Sequence, residues 1–522
     1  MDRKKLLFDE DGVFSSKGLE RTGEQVTSTM IALRRKADIT ILRWQAHFDS
    51  PLADRFIPWI GAFLLTLSLA LLSLARLRDL SVGEQIGYYI QASHLMEIGE
   101  SPEVTQLGVN IFALQASWLF WPIALLARFF PTGEFLLVIQ AIALGLGVVP
   151  IWRIARGPAN LRTGGAAALV FAYSLHPSIH NLNLAGFYPE TVAIPALLSA
   201  YLAGYREKWW ISSGLMLLVL LSRADLGLAI FALGIIFFLE NKKIAGRIAM
   251  SFGVAWFLVM AFWVQPSIGT GSYPHIAAFA HFGNGPLDVL FGIFSDPVGL
   301  FKNLLARNNF EQLILIIAPV LFLPLIHLRY VIPIIPLFTF YLIADVPVGV
   351  LGNPQQDIAV LAVVFISASY ALRKIGSSGV NRVLIGRRIL TVLLLTATVF
   401  FIRDSASSPF EKPWEWGKRD ETDVARVTSV FWLGDEASVI TPANLYPEIA
   451  NRKNAFVLET VDPFTPERKK LKNADAIIID ASTGSWKSAD IETFAEKMTE
   501  LGFTLRYESK GIQTWIRKPG SG

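Results

Sequence analysis

Long apolar runs separated by short polar ones dominate the chain. Residues 56–75 (FIPWIGAFLLTLSLALLSLA) and 388–402 are continuous apolar stretches, and with some tilt such stretches cross a hydrocarbon layer of about 30 Å as helices. They lack the alternation of a membrane β-barrel, so the pattern predicts an all-α polytopic membrane protein. Further apolar runs lie near 110–130, 135–152, 166–179, 191–203, 209–222, 226–239, 248–264, 312–327, 331–347 and 358–371.

Basic residues orient these runs. The polar tail 1–55 carries Arg34, Arg35, Lys36, Arg43 and Arg55 close to the first span, which places it in the cytoplasm, and RIARGPANLR, YREKWW, ENKKIAGR, IHLRY and RKIGSSGVNRVLIGRR read as loops on that same side. MDRKKLLFDEDG has no apolar core before a cleavage site, so the first span itself is expected to target the chain. Three full crossings after an inside tail put Arg153, Arg156 and Arg162 on the wrong face. Residues 110–130, which hold Gln115 and Pro122, are therefore expected to be an outer-leaflet or re-entrant element, leaving roughly eleven spans.

Two polar segments stand out. GEQIGYYIQASHLMEIGE (83–100), in the outer loop 76–110, reads as an amphipathic helix lying on the outer leaflet. The runs 209–222 and 226–239 are shorter than the roughly 17 residues a span needs, and Arg223-Ala224-Asp225 joins them. That hairpin tip should be sunk below the surface, where charges persist only if paired or beside a wet cavity.

After residue 403 the composition turns polar. DEASVITPANLYPEIANR, NAFVLE, NADAIIIDAS, the helix-like DIETFAEKMTELG and FTLRYESKGIQTWIR alternate strand and helix patterns, as a small α/β domain does. Arg387 and Arg388 on the inside put this domain outside. The expected organisation is a cytoplasmic tail 1–55, a membrane domain 56–403 and an extracytoplasmic α/β domain 404–522.

Composition agrees: of 522 residues, 52% are hydrophobic and 17% charged, and mean hydropathy is +0.45. The net charge of +4 is orientation signal in loops rather than a nucleic-acid footprint, so membrane lipid and not nucleic acid is the expected partner. With no cysteine, disulfides, thiolate nucleophiles and cysteine metal sites are excluded.

The polar residues assigned to the outer face form four groups: Asp79, Glu84, Gln85, Tyr88, Tyr89 and Gln91; His176, His180, Asn181, Asn183, Tyr188 and Glu190 around GFYPETVAIPALL (186–198); Arg223 and Asp225; and Tyr273, His275, His281 and Asn284. Each has an ordinary reading: loop acids are commonly solvated, Glu190 suits a helix N-terminus, and the histidines lack metal-ligand spacing. What favours function is convergence, since a carboxylate and an arginine on one membrane face can meet a phosphate-bearing lipid. A divalent cation, Mg²⁺ or Mn²⁺, stays open as a cofactor because it needs several converging oxygens; no metal ligand is assigned.

GxxxQ at 87–91, LLVIQAIALGLGVVPIWRIAR (136–156), AYSLHPSIHNLNLAGFYPETVAIPALL (172–198), SRADLGLAIFALG (222–234) and the C-terminal DEASVITPANLYPEIANR and NADAIIIDAS together resemble a bacterial family of predicted polytopic membrane proteins of unknown function. That family is grouped with the GT-C-type glycosyltransferases, integral enzymes that use polyprenyl-phosphate sugars. The resemblance implies a bacterial plasma-membrane location, a polyprenyl-phosphate-linked sugar and a glycan or protein acceptor outside the cytoplasm. It also implies Glu84 or Asp79 as catalytic base and Arg223 as phosphate clamp, with Gln85, Tyr88, Gln91, His180, Tyr188, Glu190 and Asp225 as candidate substrate-binding residues. The chain departs from the family pattern at Gln85, Ile90, Tyr188 and Ala224. The alternative is a non-catalytic lipid-glycan-binding or transporter-type membrane protein of the cell envelope; a transporter signature of internal repeats is not seen, and no nucleotide-binding glycine motif points to a nucleotide sugar.

Overall fold

The computed structural model describes residues 49–271, 273–283, 285–295, 298–299, 307–344, 356–378, 382–458, 474–482 and 488–518. The first helix, α1 (Pro51–Arg78), starts where Ser50 accepts a hydrogen bond from the Ala53 N–H, with Asp54 in its first turn and Arg76 and Arg78 in its last. These charges suit the helix dipole at both ends. Its 28 residues extend about 42 Å, longer than the hydrocarbon layer, and Phe56, Trp59, Phe63 and Leu64 remain exposed for lipid contact.

Next come α2 (Gln85–Glu97), α3 (Ile111–Gln115), α4 (Phe120–Ala127), α5 (Thr132–Leu146), α6 (Val148–Arg156), α7 (Thr163–Ser174), α8 (Pro177–Leu184) and α9 (Ala193–Tyr205). A hairpin of α10 (Trp209–Leu220) and α11 (Gly227–Leu239) leads into α12 (Lys243–Val259). Later elements include α13 (Asp357–Ile375) and α14 (Arg387–Asp404). Helix α13 is the centre of the bundle, its apolar stretch 83% buried, whereas that of α14 and its continuation is only 17% buried.

By length and composition, five helices among the described residues can cross a membrane, or six if Leu323–Tyr330 and Ile332–Leu342, bent by 77°, form one span. The other predicted spans are shorter or broken helices that pack against neighbours. Residues 312–327 are not one continuous helix: Arg307–Ile317 ends in a turn with Leu321 and Phe322 at positive φ, and a 3₁₀ helix follows. Residues 110–130 fall into α3 and α4, interrupted by Ala116 in the left-handed region, and neither piece is long enough to span.

A buried ion cluster fixes the geometry of the early helices. Arg156, at the end of α6, binds Asp54 at the start of α1 through Nε at 2.6 Å and Nη2 at 3.0 Å, and reaches Asp49 at 2.7 Å. The beginning of α1 and the end of α6 therefore share one face of the bundle. Everything between the end of α1 and the start of α5 stays on the other face, which is the arrangement the basic loops require.

The C-terminal unit is a five-stranded mixed sheet of β1 (Val439–Thr441), β2 (Ala455–Val457), β3 (Ala476–Asp480), β4 (Phe503–Ser509) and β5 (Ile512–Arg517), ordered β2-β1-β3-β5-β4. The first three strands are parallel to one another, and β5 runs antiparallel to both of its neighbours, β3 and β4. The helix Ser488–Glu500 contributes Phe494 and Met498 to the core beneath.

Burial opposes the charge of Asp49, but hydrogen bonds from Thr163 and the charge of Arg156 outweigh it and hold the carboxyl below its ordinary value. A depressed carboxylate adds stability above its unfolded value of 3.8 and loses it as pH falls through the folded one. Thermal unfolding in detergent should show this acid loss in the wild type, and Asp49→Asn should flatten it. Arg156→Ala, which leaves Asp54 short of its main partner, should cost about 3 kcal/mol at neutral pH.

Candidate functional site

The tip between α10 and α11 is buried. Ser222, Arg223 and Asp225 are almost inaccessible, and the α3–α4 element covers the tip: Ser117 Oγ donates to the Ser222 carbonyl at 2.6 Å, and the Leu119 N–H to the Leu221 carbonyl at 2.9 Å. Beside it the chain after α12 winds through one π turn at Met260–Val264. Such turns recur at functional sites; here Met260 packs with Ala116 and Ala224.

Arg223 is bound on several sides. Its Nε and Nη2 grip Asp225 Oδ1 and Oδ2 at 2.6 and 3.0 Å, and Nη2 also donates to the Tyr341 hydroxyl at 2.5 Å. Tyr341 in turn donates to Asp225 Oδ2 at 2.6 Å. The bond from Nη1 to Glu190 Oε1 is longer, at 3.4 Å. Glu190 is fully buried, and its Oε2 has no hydrogen-bond partner among the described residues. A bidentate pair is strong and well oriented, whereas a 3.4 Å contact lies beyond the usual range. The Arg223–Glu190 contact is thus the exchangeable one.

Glu190 is aimed by Gln140. This glutamine, buried on α5, donates to the carbonyl of Gly186 at 2.7 Å and accepts the Tyr188 N–H at 2.7 Å. Gly186 adopts φ +147°, which a side chain rarely tolerates, and so turns the chain from α8 into the short helix of Pro189–Val192. Tyr188 is buried beside this turn. Sequence reasoning missed Gln140 and Tyr341; the signal available was one amide and one phenol inside otherwise apolar runs.

The outer-loop residues divide between two surroundings. Helix α2 does not lie on lipid as the amphipathic pattern predicts. Most of its residues are buried, because the bundle covers one side and the α/β unit the other. Tyr89 packs on Phe120 and Phe187, towards the bundle, and Gln85 lies against Gly186. On the opposite side Gly87 and Gln91, one turn apart, receive Tyr446. A Cβ on Gly87 would lie 2.3 Å from the Tyr446 ring, and the Tyr446 hydroxyl donates to Gln91 Oε1 at 3.1 Å. The amide of Gln91 reaches the Lys453 carbonyl at 3.0 Å and also bonds Thr105. GxxxQ is therefore a docking surface for the α/β unit, and Gln91 is occupied by it.

Asp79 is likewise structural. It caps the end of α1 and accepts the Gly417 N–H at 3.0 Å. Glu84 accepts from the Tyr88 hydroxyl at 2.6 Å, and burial together with the Glu84 charge pushes that phenol well above its ordinary value, so it stays a donor. Glu84 shares no hydrogen bond with the Arg223 cluster.

The histidines hold helices together. His180 Nε2 faces the Ser174 carbonyl at 2.8 Å and so carries the proton, leaving Nδ1 to accept from Ser407 Oγ at 2.6 Å. Asn181 bonds the chain at Asp404 and Ala406, and Asn183 donates to the Leu69 carbonyl. His176 Nε2 meets the Ile316 carbonyl. Tyr273 and His275 lie within electrostatic reach of Asp225 and Arg223, whereas His281 is exposed. Asn284 lies outside the described residues. No three His, Asp or Glu side chains converge as a metal site among the described residues, and Glu190 and Asp225 converge on a guanidinium. These two carboxylates do not fit a divalent cation.

The sequence matches the family described as Predicted membrane protein (DUF2079) over residues 76–513. No curated protein matches it. Among solved structures, ArnT from Cupriavidus metallidurans bound to undecaprenyl phosphate is similar at 13% identity and TM-score 0.50, covering 88% of this chain and 99% of that one. The Archaeoglobus fulgidus oligosaccharyltransferase matches at 13% identity and TM-score 0.43, over 88% of this chain and 74% of its own. Both are GT-C-type glycosyltransferases, and the likeness to ArnT is one of fold.

The Gly87–Tyr446 contact can be separated from helix propensity. Gly87→Ala should destabilise by about 1–3 kcal/mol through overpacking against the ring. In a Tyr446→Ala background the same change should stabilise by about 0.5–1 kcal/mol, the ordinary gain of Ala over Gly in a helix. Thermal unfolding of the four proteins in detergent closes this cycle.

Proposed function

The chain belongs to the DUF2079 family of predicted membrane proteins, and from that premise we propose that it moves a sugar from a polyprenyl-phosphate donor to a glycan or protein acceptor outside the cytoplasm. The single observation that carries this reading is the buried Arg223 at the end of two short helices, with Glu190 its loosest hydrogen-bond partner among the described residues. An arginine sunk in a membrane domain marks a substrate path more often than a structural need. The ArnT neighbour was solved with undecaprenyl phosphate, a lipid whose headgroup is the anion such a guanidinium would meet. In this reading residues 1–55 and the Arg156 end are cytoplasmic, roughly eleven segments cross the membrane, and the α/β domain 404–522 is extracytoplasmic.

The chemistry is a displacement at the anomeric carbon. The acceptor hydroxyl forms the new bond while the bond to the lipid phosphate oxygen breaks, and the electron pair leaves with the phosphate. Negative charge grows there, where Arg223 Nη1 can exchange Glu190 for a phosphate oxygen and Asp225 keeps the guanidinium oriented. Glu84 takes the acceptor proton; Tyr88 holds one carboxylate oxygen and leaves the other for that task. Gln85 and Tyr188, which both lie against Gly186, are the substrate-binding side chains nearest the Glu190 turn in this reading. A second reading, a non-catalytic binder of the lipid-linked glycan, is favoured by the same cluster, because Glu190 and Asp225 already balance the arginine.

Radiolabelled polyprenyl-phosphate sugar offered to the protein in lipid nanodiscs distinguishes the two. Sugar release should fall about 10²–10⁴-fold in Glu84→Gln with lipid binding retained, and Arg223→Lys should weaken both binding and release. Wild-type binding without release would establish the non-catalytic reading, and neither binding nor release would turn attention to a transporter.

A further inference from the structure

A second site lies at the opposite end of the α10–α11 hairpin from Arg223. Helix α12 packs on α11 backbone to backbone. A Cβ on Gly234 would come 2.8 Å from the Gly246 carbonyl oxygen, and one on Gly227 2.5 Å from that of Gly253. The glycine pairs repeat every two turns on both helices, so the contact face is narrow and close, as small residues permit in membranes. Helix α10 packs instead along α9 and makes little contact with α11. Between α10 and α12 a groove of about 1050 Å³ therefore opens, with Ile230 of α11 on its floor and Trp209, Met216, Ile248 and Phe252 on its walls.

The mouth of this groove is cationic. Three basic residues line it, Lys242, Lys243 and Arg247, against the one carboxylate of Glu207. Lys242 is already engaged: its ammonium donates to the carbonyls of Gly204 and Tyr205, both at 2.7 Å, and lies 3.7 Å from Glu207. Lys243 and Arg247 are exposed and make no ion pair among the described residues. They also occupy the first turns of α12, whose N-terminus has no side-chain cap. Cations at that end oppose the helix dipole. The positive-inside rule explains why lysine and arginine occur on this side of the membrane, but not why they crowd an uncapped helix start at the head of an apolar groove.

An anion at the mouth resolves the conflict, because it would meet both the cations and the free N–H groups. The level of the mouth is marked by Trp209 and by Trp210, which is 93% exposed. Tryptophans of this kind sit at the headgroup layer. Below them the groove runs about 12 Å along the helices, from Trp209 to Leu217, at 1.5 Å per residue, and its walls are apolar at the depth of acyl chains.

We propose that the α10–α12 groove binds one anionic glycerophospholipid, its phosphate held by Lys243, Arg247 and the N-terminus of α12 and its acyl chains lying along Met216, Ile248 and Phe252. The site does not depend on sugar transfer. It couples the hairpin that carries Arg223 to the lipid of the opposite leaflet.

Native mass spectrometry of the full chain in detergent, titrated with phosphatidylglycerol and with phosphatidylcholine of identical acyl chains, tests this. The wild type should retain phosphatidylglycerol preferentially. The Lys243→Ala/Arg247→Ala double variant should lose that preference by about thirtyfold, as expected for two basic residues at a membrane surface. Ser213→Trp, which fills the groove while keeping the cations, should lose both lipids. An unchanged preference in the double variant, equal binding of the two lipids by the wild type, or a dimer that excludes both lipids would overturn the proposal. Circular dichroism and elution volume establish that each variant is folded.

Discussion

A guanidinium buried among apolar helices has to be paired on every side, and satisfying Arg223 constrains much of this molecule. Asp225 supplies the bidentate partner from two residues away, Tyr341 arrives from a later segment, and Glu190 comes from the turn after α8. Each must be delivered with its backbone satisfied, because nothing in a hydrocarbon layer replaces a missing hydrogen bond. Gln140 does this for the Glu190 turn, and the α3–α4 element does it for the hairpin tip. Short helices result: a tip that must reach a buried position cannot end at the membrane surface.

The same constraint accounts for the outer layer. Helix α2 places Tyr89 towards the bundle and Gly87 and Gln91 towards the α/β unit, so neither of its faces is free for lipid. The α/β unit is thereby joined to the segment that carries Glu84. On the other face of the membrane, the Arg156–Asp54 cluster fixes where α1 begins and α6 ends, and the glycine seam between α11 and α12 leaves the neighbouring groove open. A single hairpin, α10–α11, thus has a charged cluster at one end and a basic groove at the other.

Much of the fold was legible in the sequence. Continuous apolar runs give membrane helices because the period and length of a span are set by the bilayer, and the basic loops excluded 110–130 as a crossing because charge has a preferred side. The α/β unit was readable from strand-like runs such as NADAIIIDAS, since alternation of buried strands and helices is local. Glu190, Arg223 and Asp225 could be singled out because charges next to apolar runs are costly unless paired. In residues 312–327, Pro319 and Pro324 were the local sign of a break, but membrane helices tolerate proline, so only tertiary packing decided that the chain turns at Leu321 and Phe322.

What the tertiary structure alone decided is which polar group meets which. Gln91, Asp79 and His180 look like site residues in sequence, yet their hydrogen bonds go to Lys453, Gly417 and Ser407, hundreds of residues away. Gln140 and Tyr341 look like isolated polar residues in spans, yet one positions the Glu190 turn and the other closes the Arg223 cluster. Local chemistry determines that a buried polar side chain needs a partner; only the packing of distant helices determines which partner comes within hydrogen-bond reach.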